Sequence, residues 1–113
     1  MGEGLNNRFI IFIVDTKWVC MIKSFKCKET AGIFEIGFSR KFPTSILKSS
    51  IIKLAMLNRS GKLDDLKVPP SNHLEKLFGD REGQHSIRIN DKYRICFKWE
   101  ENNASDVEIV DYH

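Results

Sequence analysis

The carboxyl-terminal part of the sequence contains the side chains best suited to act on a phosphodiester. Arg88 and Arg94 can neutralise the charge that develops on a pentacoordinate phosphate, and His113 can move protons near neutral pH. Tyr112 can stack on a nucleotide base. If a 2′-hydroxyl attacks its own phosphate, no metal ion or other cofactor is required. The hypothesis is therefore that the protein cleaves RNA, and it requires these four side chains to lie on one surface.

Two strands are predicted to position the arginines, because apolar and polar residues alternate over 84–89 and again over 93–99. A three-residue loop at 90–92 keeps the apolar residues of both strands on one face, whereas a two-residue loop mixes the faces. The longer loop places Arg88 opposite Arg94 on the face away from the core. Like charges directly opposed are destabilising unless an anion lies between them.

A third strand is predicted over 106–112, with its apolar residues facing the core. Matching the apolar positions gives two cross-strand pairs, Trp99–Val107 and Phe97–Ile109. This register brings Tyr112 opposite Arg94 and leaves residues 100–105 as the connecting loop. The predicted exposed face then gathers Arg88, Arg94, Lys98 and Tyr112, with His113 at its rim.

A simpler interpretation stays open for each of these residues. Arg88 and Arg94 can merely form ion pairs with Glu108 or another carboxylate, and His113 can be a disordered chain end. His85 is more typical of a core-side or edge position than of a catalyst.

The amino-terminal half predicts a strand over about 21–27 and helices over 28–38 and from Pro43 to about Asn58, with a loop over 59–72. Residues 1–20 are interpreted as an extension, which could be an extra strand or a segment from an upstream start. The working domain is 21–113.

Composition limits the class of protein. The chain has 113 residues, 42% of them hydrophobic and 29% charged, which suits a single globular domain. Its apolar runs are shorter than the roughly 20 residues that a membrane-spanning helix needs. Cys20, Cys27 and Cys96 lack the spacing of a zinc site or a disulfide framework, so a reducing cytoplasm is expected.

The net charge of +3 conceals two unlike segments. Residues 21–99 contain sixteen Lys and Arg against eight Asp and Glu, whereas residues 100–113 contain only acidic charges. A basic body suits a polyanion such as nucleic acid, although scattered lysines also serve solubility alone.

Two stretches of the sequence resemble the HigB-type toxins of the RelE/ParE superfamily. They are the segment from Lys76 to Ile95, which contains Gly-Asp-Arg and Ser-Ile-Arg-Ile-Asn, and the closing Asp-Tyr-His. The likeness covers about 21–113. It implies an α/β (α+β) fold of the compact RelE-like, microbial-RNase type, with two N-terminal helices packed on one face of an antiparallel sheet. It further implies a toxin that cleaves messenger RNA in the ribosomal A site without a metal or cofactor. A HigA-like helix-turn-helix antitoxin would neutralise the toxin and connect it to operator DNA.

By this resemblance, four residues match active-site positions: Arg94, Asp111, Tyr112 and His113. Arg94 would stabilise the phosphate, His113 would transfer a proton, Tyr112 would stack on the nucleotide and Asp111 would position its neighbours. The RNA backbone would be held by four basic residues: Lys76, Arg81, Arg88 and Lys92.

Two positions depart from the family pattern. Related toxins often have a His and a Lys before the Gly-Asp-Arg turn, where this chain has Glu75 and Phe78. These residues cannot donate positive charge to phosphate, although His73 or Lys76 could compensate. A ParE-like toxin that binds and inhibits a protein such as gyrase is therefore the alternative, and a purely structural or nucleic-acid-binding domain is a third possibility.

Overall fold

The computed structural model describes residues 22–111. They form a mixed α/β fold, with two helices followed by a four-stranded antiparallel sheet in the order β1-β2-β3-β4. The elements, in chain order, are α1 (Lys28–Ile36), α2 (Leu47–Arg59), β1 (Glu75–Lys76), β2 (Gln84–Arg88), β3 (Tyr93–Glu100) and β4 (Asn103–Asp111). The predicted fold class is confirmed.

Both predicted helices are present, with slightly shorter bounds. α1 ends at Gly37, which adopts the left-handed conformation (φ 78°) and donates its backbone N–H to the Ile33 carbonyl. Pro43 precedes a single 3₁₀ turn, Thr44–Ile46, from which α2 continues. The predicted loop over 59–72 contains two more 3₁₀ turns, Leu63–Lys67 and Pro70–Asn72.

The register between β2 and β3 agrees with the prediction, since Ile87 lies opposite Ile95 and Arg88 opposite Arg94. The loop that sets this register is held by the Asn90 side chain. Its Oδ1 accepts hydrogen bonds from the backbone N–H groups of Lys92 and Tyr93, both at 2.8 Å. An asparagine that satisfies its own turn in this way favours a short, well-defined connection.

The predicted register between β3 and β4 is wrong. Ile109 lies opposite Ile95 instead of Phe97, and Val110 lies opposite Arg94. Two features shift the pairing. The hairpin turns tightly at Glu101-Asn102, both with positive φ, and a β-bulge places residues 106 and 107 opposite Phe97. The shift over 93–96 is two residues, so Val107 and Ile109 still face the core as expected.

The predicted first strand over 21–27 is reduced to two isolated parallel bridges, Ile22 with Ala104 and Phe25 with Val107. Backbone hydrogen bonds nevertheless attach this segment to the outer edge of β4. They join Lys23 N–H to the Ala104 carbonyl (2.7 Å), Lys26 N–H to the Val107 carbonyl (2.9 Å) and Val107 N–H to the Ser24 carbonyl (3.1 Å). Residues 1–20, interpreted above as an extension, lie outside the described residues, and so does Met21.

The core lies between the helices and one face of the sheet, as predicted. Its fully buried members include Ile33 on α1, Leu54 and Leu57 on α2, and Ile95 and Phe97 on β3. Within residues 22–111, no helix has the length and apolar character needed to cross a membrane.

His85 lies on the core side of β2, where its ring stacks on Phe97 with centroids 6.2 Å apart. Its Nδ1 is buried and finds no hydrogen-bond partner among the described residues. Burial, and secondarily the charge of Lys76, lower the pKa of His85 below 6.5. The folded protein therefore keeps this ring neutral at pH values where the unfolded chain binds a proton.

We expect the free energy of unfolding to fall as the pH drops through the ordinary histidine pKa, because only the unfolded state then gains a proton at this position. His85→Gln should lose less of its stability than the wild type between about pH 7.5 and about pH 5.5, the range that spans the ordinary histidine pKa. Urea unfolding at a series of pH values measures both curves. Parallel curves for the two proteins would contradict the assignment to His85.

Candidate active site

Arg94 lies on the sheet face opposite the helices, but it is not exposed as predicted. Only 8% of the residue is accessible to solvent. Its Nε donates to Ser86 Oγ (2.8 Å), and one Nη donates to the backbone carbonyl of His73 (2.5 Å). The guanidinium is therefore fixed from two sides by the protein, as required of a group that must meet a charged transition state without rearranging.

The segment leading into β1 accounts for this burial. Asn72 is completely buried and donates to the Leu66 carbonyl (3.0 Å), while its Oδ1 accepts a hydrogen bond from Lys53 of α2. The next residue, His73, has a left-handed backbone (φ 45°) and turns its carbonyl towards Arg94. A buried amide thus anchors the loop, and the loop holds the arginine.

Glu75 is the acidic neighbour of Arg94. It pairs with Ser86 across β1 and β2, which puts it on the same sheet face. Its Oε1 is 3.7 Å from an Nη of Arg94, and 52% of its side chain is exposed, against 9% for the side chain of Arg94. The pair therefore has a buried cation and an accessible carboxylate.

Arg88 extends the positive charge along this face, next to Arg94 in the register. Its guanidinium forms an ion pair with Asp91 in the following turn, so each of the two opposed arginines has a carboxylate beside it. Lys53 lies close enough for the charge of Arg88 to act on it. Burial first, and that charge second, lower the pKa of Lys53.

Arg81, and not Arg88 or Arg94, forms the ion pair with Glu108. Its Nη1 is 2.9 Å from Glu108, and the same carboxylate lies 3.6 Å from Lys26. Cys96, opposite Glu108 in the register, is completely buried, and burial raises the pKa of its thiol. This cluster ties the 79–81 turn to β4.

The other two basic residues expected to hold RNA are Lys76 and Lys92. Lys76 is opposite His85, so it points to the sheet face away from Glu75. Lys92 is at the β2–β3 turn, with its Nζ 3.8 Å from Asp111.

Asp111 ends β4 opposite Tyr93. It lies one register position from the pair formed by Arg94 and Val110. The two residues that follow, Tyr112 and His113, lie outside the described residues. Of the four expected active-site residues, Arg94 and Asp111 are thus at the same end of β3 and β4, but alternation puts Asp111 on the face of the core-side Tyr93, away from Arg94.

Sequence reasoning missed the groups that hold Arg94. Ser86 shares the polar side of the alternating pattern with Arg88, and this was the available signal. The sequence contains no comparable signal for the His73 carbonyl or for Lys53. His73 belongs to a loop and Lys53 to α2, and the alternating pattern of the strands does not show that either segment lies near β3. Among residues 22–111, no group of three His, Cys, Asp or Glu side chains could hold a metal ion.

Comparison with known proteins shows which family the sequence of this chain matches. Residues 23–113 match a family described as the RelE-like toxin of the type II toxin–antitoxin system HigB. Over 93 residues the chain is 31% identical to Endoribonuclease HigB of Proteus vulgaris, covering 82% of this chain and 100% of that protein.

Two further relatives are matched over shorter stretches. Toxin HigB-1 of Vibrio cholerae is 40% identical over 53% of this chain, and an uncharacterised protein of Haemophilus influenzae is 37% identical over 59%. The chain spans 63% and 66% of their lengths, slightly less than two thirds. In structure, the chain is similar to one from the YoeB–YefM complex of Staphylococcus aureus, with a TM-score of 0.48 and 18% identity, over 83% of this chain and 97% of that one.

Proposed function

This chain belongs to the RelE-like toxins of the type II toxin–antitoxin system HigB, and from that premise we propose that it is an endoribonuclease that cleaves messenger RNA on the ribosome. The observation that carries the proposal is the Arg94 guanidinium, held by Ser86 and the His73 carbonyl beside the end of β4. A planar, preorganised guanidinium is well suited to bind the non-bridging oxygens of a phosphate.

The proposed reaction is an attack of a ribose 2′-hydroxyl on the adjacent phosphorus. The P–O bond to the 5′ oxygen of the next nucleotide breaks, which yields a cyclic 2′,3′-phosphate and a free 5′-hydroxyl. Arg94 stabilises the charge on the pentacoordinate phosphate, and His113 donates the proton to the leaving oxygen. Tyr112 stacks on a base, and Asp111 positions its neighbours. The nucleophile belongs to the RNA, so the reaction needs no metal-bound water.

The RNA backbone is proposed to contact the basic side chains Arg88, Arg81, Lys92 and Lys76. These contacts require the RNA phosphates to compete with the carboxylates that now pair with three of them. Exposed ion pairs contribute only about 0–1 kcal/mol, so the exchange has a low energetic cost at Arg88 and Lys92, whose carboxylate partners are accessible. At Arg81 the exchange costs more, because only 15% of the Glu108 side chain is exposed.

The proposed partners follow from the family. A HigA-like helix-turn-helix antitoxin binds and neutralises the protein and carries it to operator DNA. The site of action is the cytoplasm, where ribosomes engage messages.

A cell-free translation reaction tests the function. We expect the purified protein to stop translation of a defined message and to leave discrete cut products in a primer-extension map. The same message incubated without ribosomes should remain whole. Translation arrest with an intact message would contradict the proposal, and failure of gyrase to supercoil DNA in the presence of the protein would favour the ParE-like alternative.

A further inference from the structure

Lys53 connects α2 to the loop that leads into the candidate site. Of the three basic residues of α2, it is the one that the rest of the described chain partly covers, whereas Lys48 and Arg59 are exposed. Its ammonium donates a hydrogen bond to Oδ1 of Asn72, a residue that is completely buried. The two residues are 19 positions apart in the sequence, so this hydrogen bond is a tertiary contact between a helix and a loop.

The charge of Lys53 is unfavourable at this position. Burial removes water from the ammonium, and the positive charge of Arg88 repels it, so the pKa of Lys53 is lowered. Among the described residues, no ion pair with a carboxylate offsets these two effects. A lysine that is less stable in its charged form after folding contributes little to the stability of the fold through that charge. The hydrogen bond to Asn72 is the favourable contact that the ammonium makes here.

Asn72 fixes the backbone on both sides of it. Its Nδ2 donates to the Leu66 carbonyl at 3.0 Å, and its backbone N–H donates to the Pro69 carbonyl at 2.9 Å. His73 comes next and has a left-handed backbone (φ 45°). Such a conformation is unfavourable for a residue with a Cβ atom and persists only where the surrounding contacts impose it. We therefore expect the backbone of His73 to depend on the anchor that Asn72 provides.

The His73 carbonyl is one of two acceptors that orient Arg94. It accepts a hydrogen bond from an Nη of the guanidinium (2.5 Å), while Ser86 Oγ accepts one from Nε (2.8 Å). Ser86 belongs to β2 and is fixed by the sheet. The carbonyl belongs to the loop, so its position depends on the contacts of Asn72, and Lys53 makes one of those contacts.

We propose that Lys53 is a positioning residue for the cleavage of RNA. This inference rests on the proposed function. Lys53 fixes Asn72, and Asn72 fixes the backbone of His73. The His73 carbonyl in turn sets the orientation of the Arg94 guanidinium before RNA binds, so the guanidinium meets the charge of the transition state without rearranging. Lys53 itself does not contact the RNA.

Single-turnover cleavage of a defined message on purified ribosomes tests this role. We expect Lys53→Ala to lower the maximal cleavage rate by about 10²-fold, the usual cost of misplacing a catalytic group by roughly 1 Å. The amount of protein that gives half the maximal rate should stay the same. Lys53→Arg keeps the charge and the N–H donors and should recover most of the lost rate. Lys48→Ala removes an exposed cation from the same helix and should cleave like the wild type.

A double-mutant cycle separates positioning from a general loss of stability. If Lys53 acts through Arg94, adding Lys53→Ala to Arg94→Ala should leave the remaining rate nearly unchanged. A general loss of stability would lower the rate by the same factor in both backgrounds, and that result would overturn the inference. A higher amount of protein for half-maximal rate in Lys53→Ala would also overturn it, because Lys53 would then bind RNA directly.

The orientation of Arg94 can also be measured without any cleavage. Its Nε–H, which donates to Ser86, gives a signal in proton–nitrogen correlation NMR spectra, and this proton exchanges slowly with water while the guanidinium is held. We expect faster exchange in Lys53→Ala and unchanged exchange in Lys48→Ala. Unchanged exchange in Lys53→Ala would overturn the inference. Wild-type protein that leaves the message whole would instead overturn the proposed function, so the two failures are distinguishable.

Discussion

Replacing Arg94 by alanine is expected to lower the rate of message cleavage by at least about 10²–10³-fold, the usual cost of removing one preorganised donor to a developing charge. The guanidinium is held by Ser86 and the His73 carbonyl before any substrate arrives. Single-turnover cleavage on purified ribosomes, with the cut site mapped by primer extension, measures the effect.

Arg94→Lys distinguishes charge from geometry. An ammonium keeps the charge but cannot reproduce the planar fork, so we expect Arg94→Lys to cleave at less than a tenth of the wild-type rate. This corresponds to an activation free energy at least about 1.4 kcal/mol higher. Arg59→Ala, which removes an exposed cation from the end of α2, is the matched control and should cleave normally. A rate for Arg94→Ala within tenfold of the wild type would contradict the assigned role.

Phe97→Ala is expected to lower the free energy of unfolding more than the other substitutions considered above. This ring is fully buried in the middle of β3 and contacts His85 on one side and Trp99 on the other, with ring centroids 6.2 and 6.3 Å apart. Truncating a buried phenylalanine costs about 3–5 kcal/mol, because apolar contact is lost and a cavity remains. For a domain whose total stability is of the order of 5–15 kcal/mol, that is a large fraction.

Phe78→Ala provides the control, since 72% of this phenylalanine is exposed. We expect it to change the free energy of unfolding by less than about 0.5 kcal/mol. Urea denaturation followed by far-UV circular dichroism compares the two variants. Equal unfolding midpoints for both would show that Phe97 does not support the core in the way its burial indicates.

The fold was predictable where a local pattern determines the result. The alternation along β2 and β3, with Asn90 at the turn, was enough for the correct register. The pairing of β4 was not predictable in the same way. Alternation identifies the face of each residue but cannot detect that Asp106 has a positive φ and introduces a bulge, nor that the hairpin turns as early as Glu101.

The candidate site was predictable in its residue types and less so in its environment. Arg88 and Arg94 lie opposite each other as expected. Burial of Arg94 depends on a loop whose anchor, Asn72, binds α2 and the Leu66 carbonyl. The contacts of Asn72 with Lys53 and of Arg94 with the His73 carbonyl span 19 and 21 residues and follow no hydrophobic period, so a short window of sequence does not contain them.

The segment from Ile22 to Lys26 has a further consequence for the behaviour of the protein in concentrated solution. It occupies backbone groups along the outer edge of β4, and the Thr30 hydroxyl accepts the N–H of Ile109 beyond it (3.0 Å). A long strand edge left open is a template on which other chains can polymerise. Among the described residues, the opposite edge of the sheet is the two-residue β1. The segment from Ile22 to Lys26 therefore covers the outer edge of β4, the longest strand, and hinders the addition of further strands that would start a fibre.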